Sequence, residues 1–148
     1  MRRRFDPTPF KKLSRTVRVS VRFSEADALA MVWHGNYLHY FEEARDAMAK
    51  TEGLSYADMH AAGFVAPVVE AQLAYHAPAR IGDDLDVTAY FLWNDAAKLE
   101  IFYEVRRAAD GGLLAEGRTL QVLTNPQGEL LLTRPPLLQD FYARWERA

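Results

Sequence analysis

The most constraining feature of the sequence is an alternation of apolar and polar side chains that recurs through its second half. Four segments carry it over much of their length, at 68–76, 85–93, 99–106 and 113–124. Such alternation is typical of strands with one buried face. Their connectors are short and turn-like, whereas parallel neighbours need crossovers of about a dozen residues. The pattern therefore predicts antiparallel pairing of successive strands.

The first half combines one more strand with a helix. Residues 16–23 alternate strictly, and an irregular loop follows at 24–30. From Asn36 the apolar spacing becomes helical, with one stripe formed by Tyr37, Tyr40, Phe41, Ala44 and Met48. We expect Asn36 to cap this helix and Gly53 to end it. A shorter helix is predicted at 55–62, and an amphipathic segment follows Pro135 and Pro136.

This order predicts an α+β domain in which a long helix packs on a curved antiparallel sheet of about five strands. Aromatic residues are distributed over both faces of the central strands. One helix covers only part of such a sheet, so some apolar surface is expected to remain exposed in a monomer. We therefore expect a homodimer or homotetramer.

Composition limits the classes of protein that fit. A chain of 148 residues, 49% of them hydrophobic, is the size of one domain. The absence of cysteine excludes disulfides, cysteine-based metal sites and a thiol nucleophile. No apolar run is long enough for a signal peptide or a membrane span. We expect a cytoplasmic protein with no membrane partner.

Positive charge is concentrated at the N-terminus. Residues 1–22 contain eight Lys or Arg and one Asp, a sum of +7. A nucleic-acid arm or a membrane-surface anchor is one interpretation, but the segment has no amphipathic repeat. We predict a basic, solvated arm over 1–14, no nucleic-acid partner, and a single domain over 15–148.

One carboxylate stands where chemistry is possible. Asp27 lies in the loop after the first strand, and the predicted helix begins seven residues later. The first N–H groups of a helix lack intrahelical partners and favour negative charge. They could polarise an acyl carbonyl that Asp27 approaches from its other side. From spacing alone, however, an Asp in a loop before a helix is more often a cap or a turn former.

The surrounding residues resemble the active-site region of the 4-hydroxybenzoyl-CoA thioesterase family of hotdog-fold proteins. The similar positions are Asp27, Val32-Trp33-His34, Asn36-Tyr37-Leu38 and Glu42-Glu43-Ala44-Arg45. The resemblance continues through Val68-Val69-Glu70-Ala71, Tyr75, Ala77 to Asp83, and Ala115-Glu116-Gly117. It covers roughly residues 16–140.

The resemblance implies an acyl-CoA thioesterase. Asp27 would be the nucleophile or the general base, and the backbone N–H of His34, at the helix start, would bind the thioester oxygen. Trp33, Asn36 and Tyr37 would bind substrate. The implied partner is an acyl-CoA or acyl-carrier thioester, with no cofactor and no metal. The resemblance leaves acyl specificity undetermined.

Two departures from the family pattern bear on the loop. Many relatives have glycine two or three residues after the Asp, where this chain has Leu29 and Ala30. If that glycine has a positive φ, we expect Ala30 to adopt another conformation. Some relatives have an active-site tyrosine four residues before the Asp, where this chain has Phe23.

Other assignments remain open at this point. A hotdog dehydratase or hydratase acting on CoA or carrier-protein thioesters is one, although the dehydratase His motif is not seen. A noncatalytic hotdog domain that binds an acyl group or a partner protein is another. Glu70 could serve as the base, as a carboxylate from another element does in a different hotdog branch, but a structural role is favoured. Several basic residues are candidates for contacts to coenzyme A phosphates: Lys98, Arg106, Arg107, Arg118 and Arg134.

Overall fold

The computed structural model describes residues 2–148 and contains one five-stranded antiparallel sheet. Its strands are β1 (Lys12–Ser20), β2 (Val68–Tyr75), β3 (Asp84–Leu92), β4 (Lys98–Arg107) and β5 (Leu113–Val122). Its helices are α1 (Tyr37–Glu52), α2 (Tyr56–Ala61) and α3 (Pro136–Arg147). The predicted α+β architecture, a long helix on a five-stranded antiparallel sheet, is confirmed.

The spatial order of the strands is β1-β3-β4-β5-β2. Strands β3, β4 and β5 form a meander, as their short connectors predicted. The segment containing α1 and α2 carries the chain from one edge of the sheet to the other, so β2 pairs with β5 and leaves its second edge open. Val68, Val69 and Tyr75 are exposed along that edge.

The first strand lies earlier in the sequence than predicted. It pairs with β3 from Lys12↔Leu92 to Ser20↔Asp84, because β3 begins at Asp84 and offers no partner further along. Phe23 instead begins a single 3₁₀ turn and is 83% exposed. The apolar residue that completed the alternating pattern therefore contributes nothing to the core.

Helix α1 packs one stripe against the sheet. All five predicted stripe residues are buried: Tyr37, Tyr40, Phe41, Ala44 and Met48. Phe41 stacks on Tyr103 of β4, with ring centroids 4.5 Å apart. Beside this stack, a Cβ on Gly117 would lie 2.4 Å from the Phe41 ring and 2.9 Å from the Gln72 carbonyl oxygen. The bare backbone at Gly117 is thus what lets the helix approach the sheet so closely.

The predicted end of α1 at Gly53 and the predicted start of α2 at Ser55 are confirmed. Gly53 ends α1 with φ +72°, and its N–H donates to carbonyls of the last turn. Ser55 begins α2 by accepting the Asp58 N–H, while the Asp58 carboxylate accepts the Ser55 N–H. The two helices therefore meet at a sharp, locally determined corner.

Arg45, the arginine of the matched helix motif, is a residue of α1 and is buried against the sheet. Its Nε donates to Gln121 Oε1 at 2.9 Å, and its guanidinium lies 4.0 Å from the centroid of the Tyr56 ring. This arginine therefore joins α1, α2 and β5.

The C-terminal helix closes one end of the core. Pro136 occupies its first turn, where a missing N–H costs nothing. Phe141, Tyr142 and Trp145 are buried. Tyr142 and Trp145 pack edge-on against Trp93 at the end of the sheet, and Phe141 packs against Phe91. The predicted amphipathic segment is therefore a helix that extends the aromatic core.

The expectation of a solvated N-terminal arm is wrong for residues 3–5, and Met1 lies outside the described residues. Phe5 is 6% exposed and packs edge-on against Phe102, on the sheet face opposite α1. Arg3 reaches the carboxylates of Glu104 and Glu116 on the same face. The charge of Arg3 is thus paired with acidic residues that lie 101 and 113 positions away in the sequence.

Glu116 is the main anchor of the arm. Its fully buried carboxylate accepts the Phe5 N–H at 2.6 Å and the Arg4 N–H at 3.0 Å. Its other oxygen lies 2.6 Å from His76 Nε2. Burial alone would raise the pKa of Glu116, but the bonds from Phe5, His76 and Arg4 and the Arg3 charge outweigh it and lower that pKa.

No helix within residues 2–148 is long and apolar enough to cross a membrane.

The substitution Gly117→Ala should lower the free energy of unfolding by about 1–3 kcal/mol, because the added methyl group overlaps the Phe41 ring. Urea unfolding measures the change. Gly112→Ala is the matched control, since its added Cβ would meet only the exposed Asp110 side chain, at 3.1 Å. Equal effects of the two substitutions would contradict the close-approach explanation.

Acidification should release the arm. A carboxylate with a lowered pKa stabilises the fold above its unfolded pKa of 4.5, and that contribution is lost as the pH falls through the lowered value. The amide proton of Phe5, followed by NMR, should therefore keep its hydrogen-bonded shift from pH 7 down to 4.5, and lose it only below that pH, as the pH falls through the lowered pKa. In Glu116→Gln this titration should disappear. Its persistence in the variant would assign it to another carboxyl group.

Candidate active site

The loop between β1 and α1 folds back on itself as a small closed turn. Ala26 forms a bridge with Val32, and the Asp27 N–H donates to the Met31 carbonyl at 2.8 Å. Met31 also bridges to Arg80, in the segment between β2 and β3. These backbone bonds hold Asp27 at a defined, exposed position on the surface of the loop.

The Asp27 carboxylate is oriented by one of its oxygens. Oδ1 accepts the Leu29 N–H at 2.8 Å and the Met31 N–H at 3.4 Å. Oδ2 accepts no hydrogen bond from any group in residues 2–148. The turn-forming and chemical interpretations of Asp27 are thus compatible, because the turn uses one oxygen and leaves the other free.

Ala30 adopts the left-handed conformation, with φ +61°. The expectation that it would take a different conformation is wrong. The Ala30 N–H donates to the Asp27 carbonyl at 3.0 Å, and the Ala30 carbonyl accepts the Ile81 N–H at 3.4 Å. A non-glycine residue in this region costs about 1–3 kcal/mol, which the surrounding hydrogen bonds offset.

Helical structure begins at His34, three residues before α1. Residues His34–Asn36 form a 3₁₀ turn that runs directly into the helix. The Asn36 N–H donates to the Trp33 carbonyl, but neither the His34 nor the Gly35 N–H donates a hydrogen bond within the described chain. Two free N–H groups therefore stand at the positive end of the helix dipole.

Asn36 does not cap the helix, contrary to the sequence prediction. It has helical dihedrals, and its Nδ2 donates to the Glu25 carbonyl at 2.8 Å. The same carbonyl accepts the Trp33 N–H, and the Glu25 carboxylate accepts the Tyr40 hydroxyl at 3.1 Å. Burial, assisted by this carboxylate, raises the pKa of Tyr40. Glu25 thus holds the loop against the start of α1 through these hydrogen bonds.

The Trp33 ring lies over Gly35. A Cβ on Gly35 would stand 2.2 Å from that ring, and the ring centroid is 4.9 Å from that of His34. Trp33 is about half exposed. Glycine at this position therefore allows an aromatic surface beside the free N–H groups.

A cavity of about 330 Å³ opens next to the helix start. Its lining includes Met31, His34, Tyr37, Tyr75, His76 and Pro78. The buried Tyr37 hydroxyl accepts the Ala79 N–H at 3.3 Å, and burial raises the Tyr37 pKa. The Tyr75 ring contacts the Tyr37 ring edge-on at 5.3 Å.

Of the residues predicted from sequence, His34 and Tyr37 line this cavity directly. Asp27 is not part of the lining, but it is hydrogen-bonded to Met31, which is. Trp33 and Asn36 flank the helix start without being part of the lining.

Three further residues at the site were not predicted to act there: Glu25, Tyr75 and His76. Tyr75 carried a signal, because it belongs to the matched segment that follows the helix. Glu25 and His76 carried none, since their contacts join separate segments of the chain.

Most of the candidate phosphate-binding cations are engaged elsewhere. Arg118 pairs with Glu100 and with Glu70, which gives Glu70 a structural ion pair. Arg106 and Arg107 pair with carboxylates of their own sheet region. No group of three or more His, Asp or Glu side chains in residues 2–148 is placed to hold a metal ion.

The conformation of Ala30 predicts that Ala30→Gly stabilises the protein. Glycine removes the left-handed strain and costs some unfolded-state entropy, which leaves a net gain of about 0.5–1 kcal/mol. The neighbouring Ala28→Gly adds only the entropic cost and should destabilise slightly. Thermal unfolding of the pair checks the sign, and a loss of stability in Ala30→Gly would contradict the explanation.

Comparison with known proteins supplies the family. Residues 21–145 match the model of the thioesterase-like superfamily. A 1,4-dihydroxy-2-naphthoyl-CoA hydrolase of Rippkaea orientalis is 28% identical over 110 residues, which is 73% of this chain and 80% of that one. The acyl-CoA thioester hydrolase YbgC of Escherichia coli O6:H1 is 28% identical over 108 residues, with the same shares of the two chains.

The fold is also found in a solved structure. Slr0204, a 1,4-dihydroxy-2-naphthoyl-CoA thioesterase from Synechocystis, superposes with a TM-score of 0.79 at 24% identity, over 90% of this chain and 98% of that one. The chain has the hotdog fold. Because the superfamily match spans most of the sequence, the chain belongs to the thioesterase-like superfamily and is a thioester hydrolase.

Proposed function

We propose that this protein is an acyl-CoA thioesterase that hydrolyses the thioester to coenzyme A and a carboxylic acid. The observation that carries the proposal is the pairing of a carboxylate having one free oxygen with two free N–H groups at the start of α1. Both lie in the segment between β1 and α1, and His34 of that segment lines a cavity. Acyl transfer needs such a pair, one group to attack or activate and one to stabilise the oxyanion.

The helix start would receive the thioester oxygen. As the carbonyl carbon becomes tetrahedral, its oxygen gains negative charge, and the N–H groups of His34 and Gly35 would donate to it. The dipole of α1 favours the same charge. The backbone supplies these donors, so the His34 imidazole is not required for them.

Asp27 would act through Oδ2 in one of two ways. As a general base it takes a proton from water, the hydroxide oxygen attacks the carbonyl carbon, and the C–S bond breaks to release the thiolate, which is then protonated. As a nucleophile it forms a mixed anhydride with loss of the thiolate, and water then hydrolyses the anhydride. Both routes consume one water and yield acid and thiol.

The remaining predicted residues have distinct roles in this proposal. Tyr37 forms a cavity wall and Trp33 an aromatic surface beside the helix start. The Asn36 amide is committed to the Glu25 carbonyl, so Asn36 shapes the loop. The resemblance of this region to the 4-hydroxybenzoyl-CoA thioesterase family supports Asp27 as the reacting carboxylate.

We also propose a cytoplasmic homodimer or homotetramer. The open edge of β2 carries exposed Val68, Val69 and Tyr75, an unpaired strand edge that a second copy could cover. A cysteine-free composition fits a reducing compartment. The substrate's thiol could belong to coenzyme A or to an acyl-carrier protein, and the coenzyme A names of the relatives favour the first.

The proposal predicts thiol release from a panel of acyl-CoA and aroyl-CoA substrates. Asp27→Asn keeps the turn-forming oxygen and removes the charge, so it should lower kcat by at least about 100-fold. Free thiol is measured with a chromogenic disulfide reagent.

Asp110→Asn is the matched control and should leave turnover unchanged. Asp110, like Asp27, accepts the N–H two residues ahead, at 2.9 Å, but it lies in the β4–β5 turn. Substantial hydrolysis by Asp27→Asn would exclude Asp27 from the reaction. Hydration of a 2-enoyl-CoA without thiol release would assign the site to a hydratase.

A further inference from the structure

Tyr75, the last residue of β2, makes a hydrogen bond at the helix start that the proposed reaction has not used. Its hydroxyl donates to the His34 carbonyl oxygen at 2.8 Å, between residues 41 positions apart in the sequence. Both residues line the same cavity. Tyr75 therefore touches the peptide group whose N–H, that of Gly35, is one of the two proposed oxyanion donors.

A hydrogen bond to the His34 carbonyl also affects the Gly35 N–H. The His34 carbonyl and the Gly35 N–H belong to the same planar amide, and this N–H has no acceptor among residues 2–148. A hydrogen bond received by an amide oxygen polarises the amide and strengthens its N–H as a donor. It also fixes the rotation of the peptide plane, and thus the direction of the N–H.

The tyrosine is held in place although half of its surface is exposed. Its ring packs edge-on against Tyr37, which is itself fixed by the Ala79 N–H. Burial raises the pKa of the Tyr75 phenol, so it remains a donor at neutral pH. The contact is therefore a persistent link between β2 and the helix start.

We propose that Tyr75 is a positioning residue for thioester hydrolysis, which orients and polarises the Gly35 N–H through the His34 carbonyl. This inference rests on the proposed thioesterase function and deepens it. The tyrosine itself does not touch the reacting atoms. Its effect falls on the transition state, because the oxygen carries its full negative charge only there.

A purely structural contact would behave differently. If the hydroxyl only tied β2 to α1, its removal would change stability and the amount of folded protein. Loss of a tuned donor instead lowers kcat in fully folded enzyme and leaves KM nearly unchanged. The separation of kcat from KM therefore distinguishes the two roles.

The test compares Tyr75→Phe with Tyr90→Phe, using the thioester that the wild-type protein hydrolyses best. Tyr90 also donates its hydroxyl over 2.8 Å, but to Glu104 on the opposite face of the sheet, away from the cavity. Deleting an oxyanion donor outright costs about 100-fold or more, and Tyr75→Phe only weakens one, so kcat should fall about tenfold. KM should change less than about twofold, and Tyr90→Phe should keep both constants.

Each kcat is calculated per folded enzyme molecule, with the folded fraction measured by circular dichroism at the assay temperature. An unchanged kcat in Tyr75→Phe, a change confined to KM, or an equal loss in Tyr90→Phe overturns the positioning role and leaves the proposed thioesterase intact. Absence of thiol release by the wild-type protein overturns both. A selective fall of kcat in Tyr75→Phe supports the role assigned to Tyr75.

Discussion

The close approach of α1 to the sheet at Gly117 determines where the rest of the site can lie. Because β5 has no side chain there, the Phe41 ring reaches the sheet and stacks on Tyr103. Phe41 lies one turn inside the helix, and the start of helical structure at His34 lines the cavity. The height of the helix above the sheet therefore sets the position of those N–H groups relative to the end of β2.

Local physics explains why so much of the fold could be predicted. Alternation located four of the five strands nearly residue by residue. Helical spacing predicted a stripe of five residues on α1, and all five are buried. Both patterns are read from neighbouring residues, as are Gly53 and Ser55 at the helix ends. The start of β1 was missed because its limits depend on pairing with a strand about seventy residues away.

The candidate site likewise contains residues that a local sequence pattern marks and residues whose roles depend on distant contacts. Asp27 and His34 could be proposed from sequence because loop, spacing and motif lie in one continuous segment. The roles of Glu25, Tyr75 and His76 could not, since each depends on contacts between segments that only the folded chain brings together. Ala30 shows a third case, in which a backbone conformation persists without the residue type that usually marks it.

The docked arm gives the chain a fixed order of assembly. Residues 3–5 are synthesised well before their acceptor, because Glu116 lies 111 residues after Phe5. The arm cannot close over the sheet until β5 has been made and paired. Until the arm docks, the Phe102 ring lacks its contact with Phe5, and the Glu116 carboxylate lacks the N–H groups of Arg4 and Phe5. During synthesis, the arm therefore reaches its native position only after β5 has paired, long after the arm itself has been made.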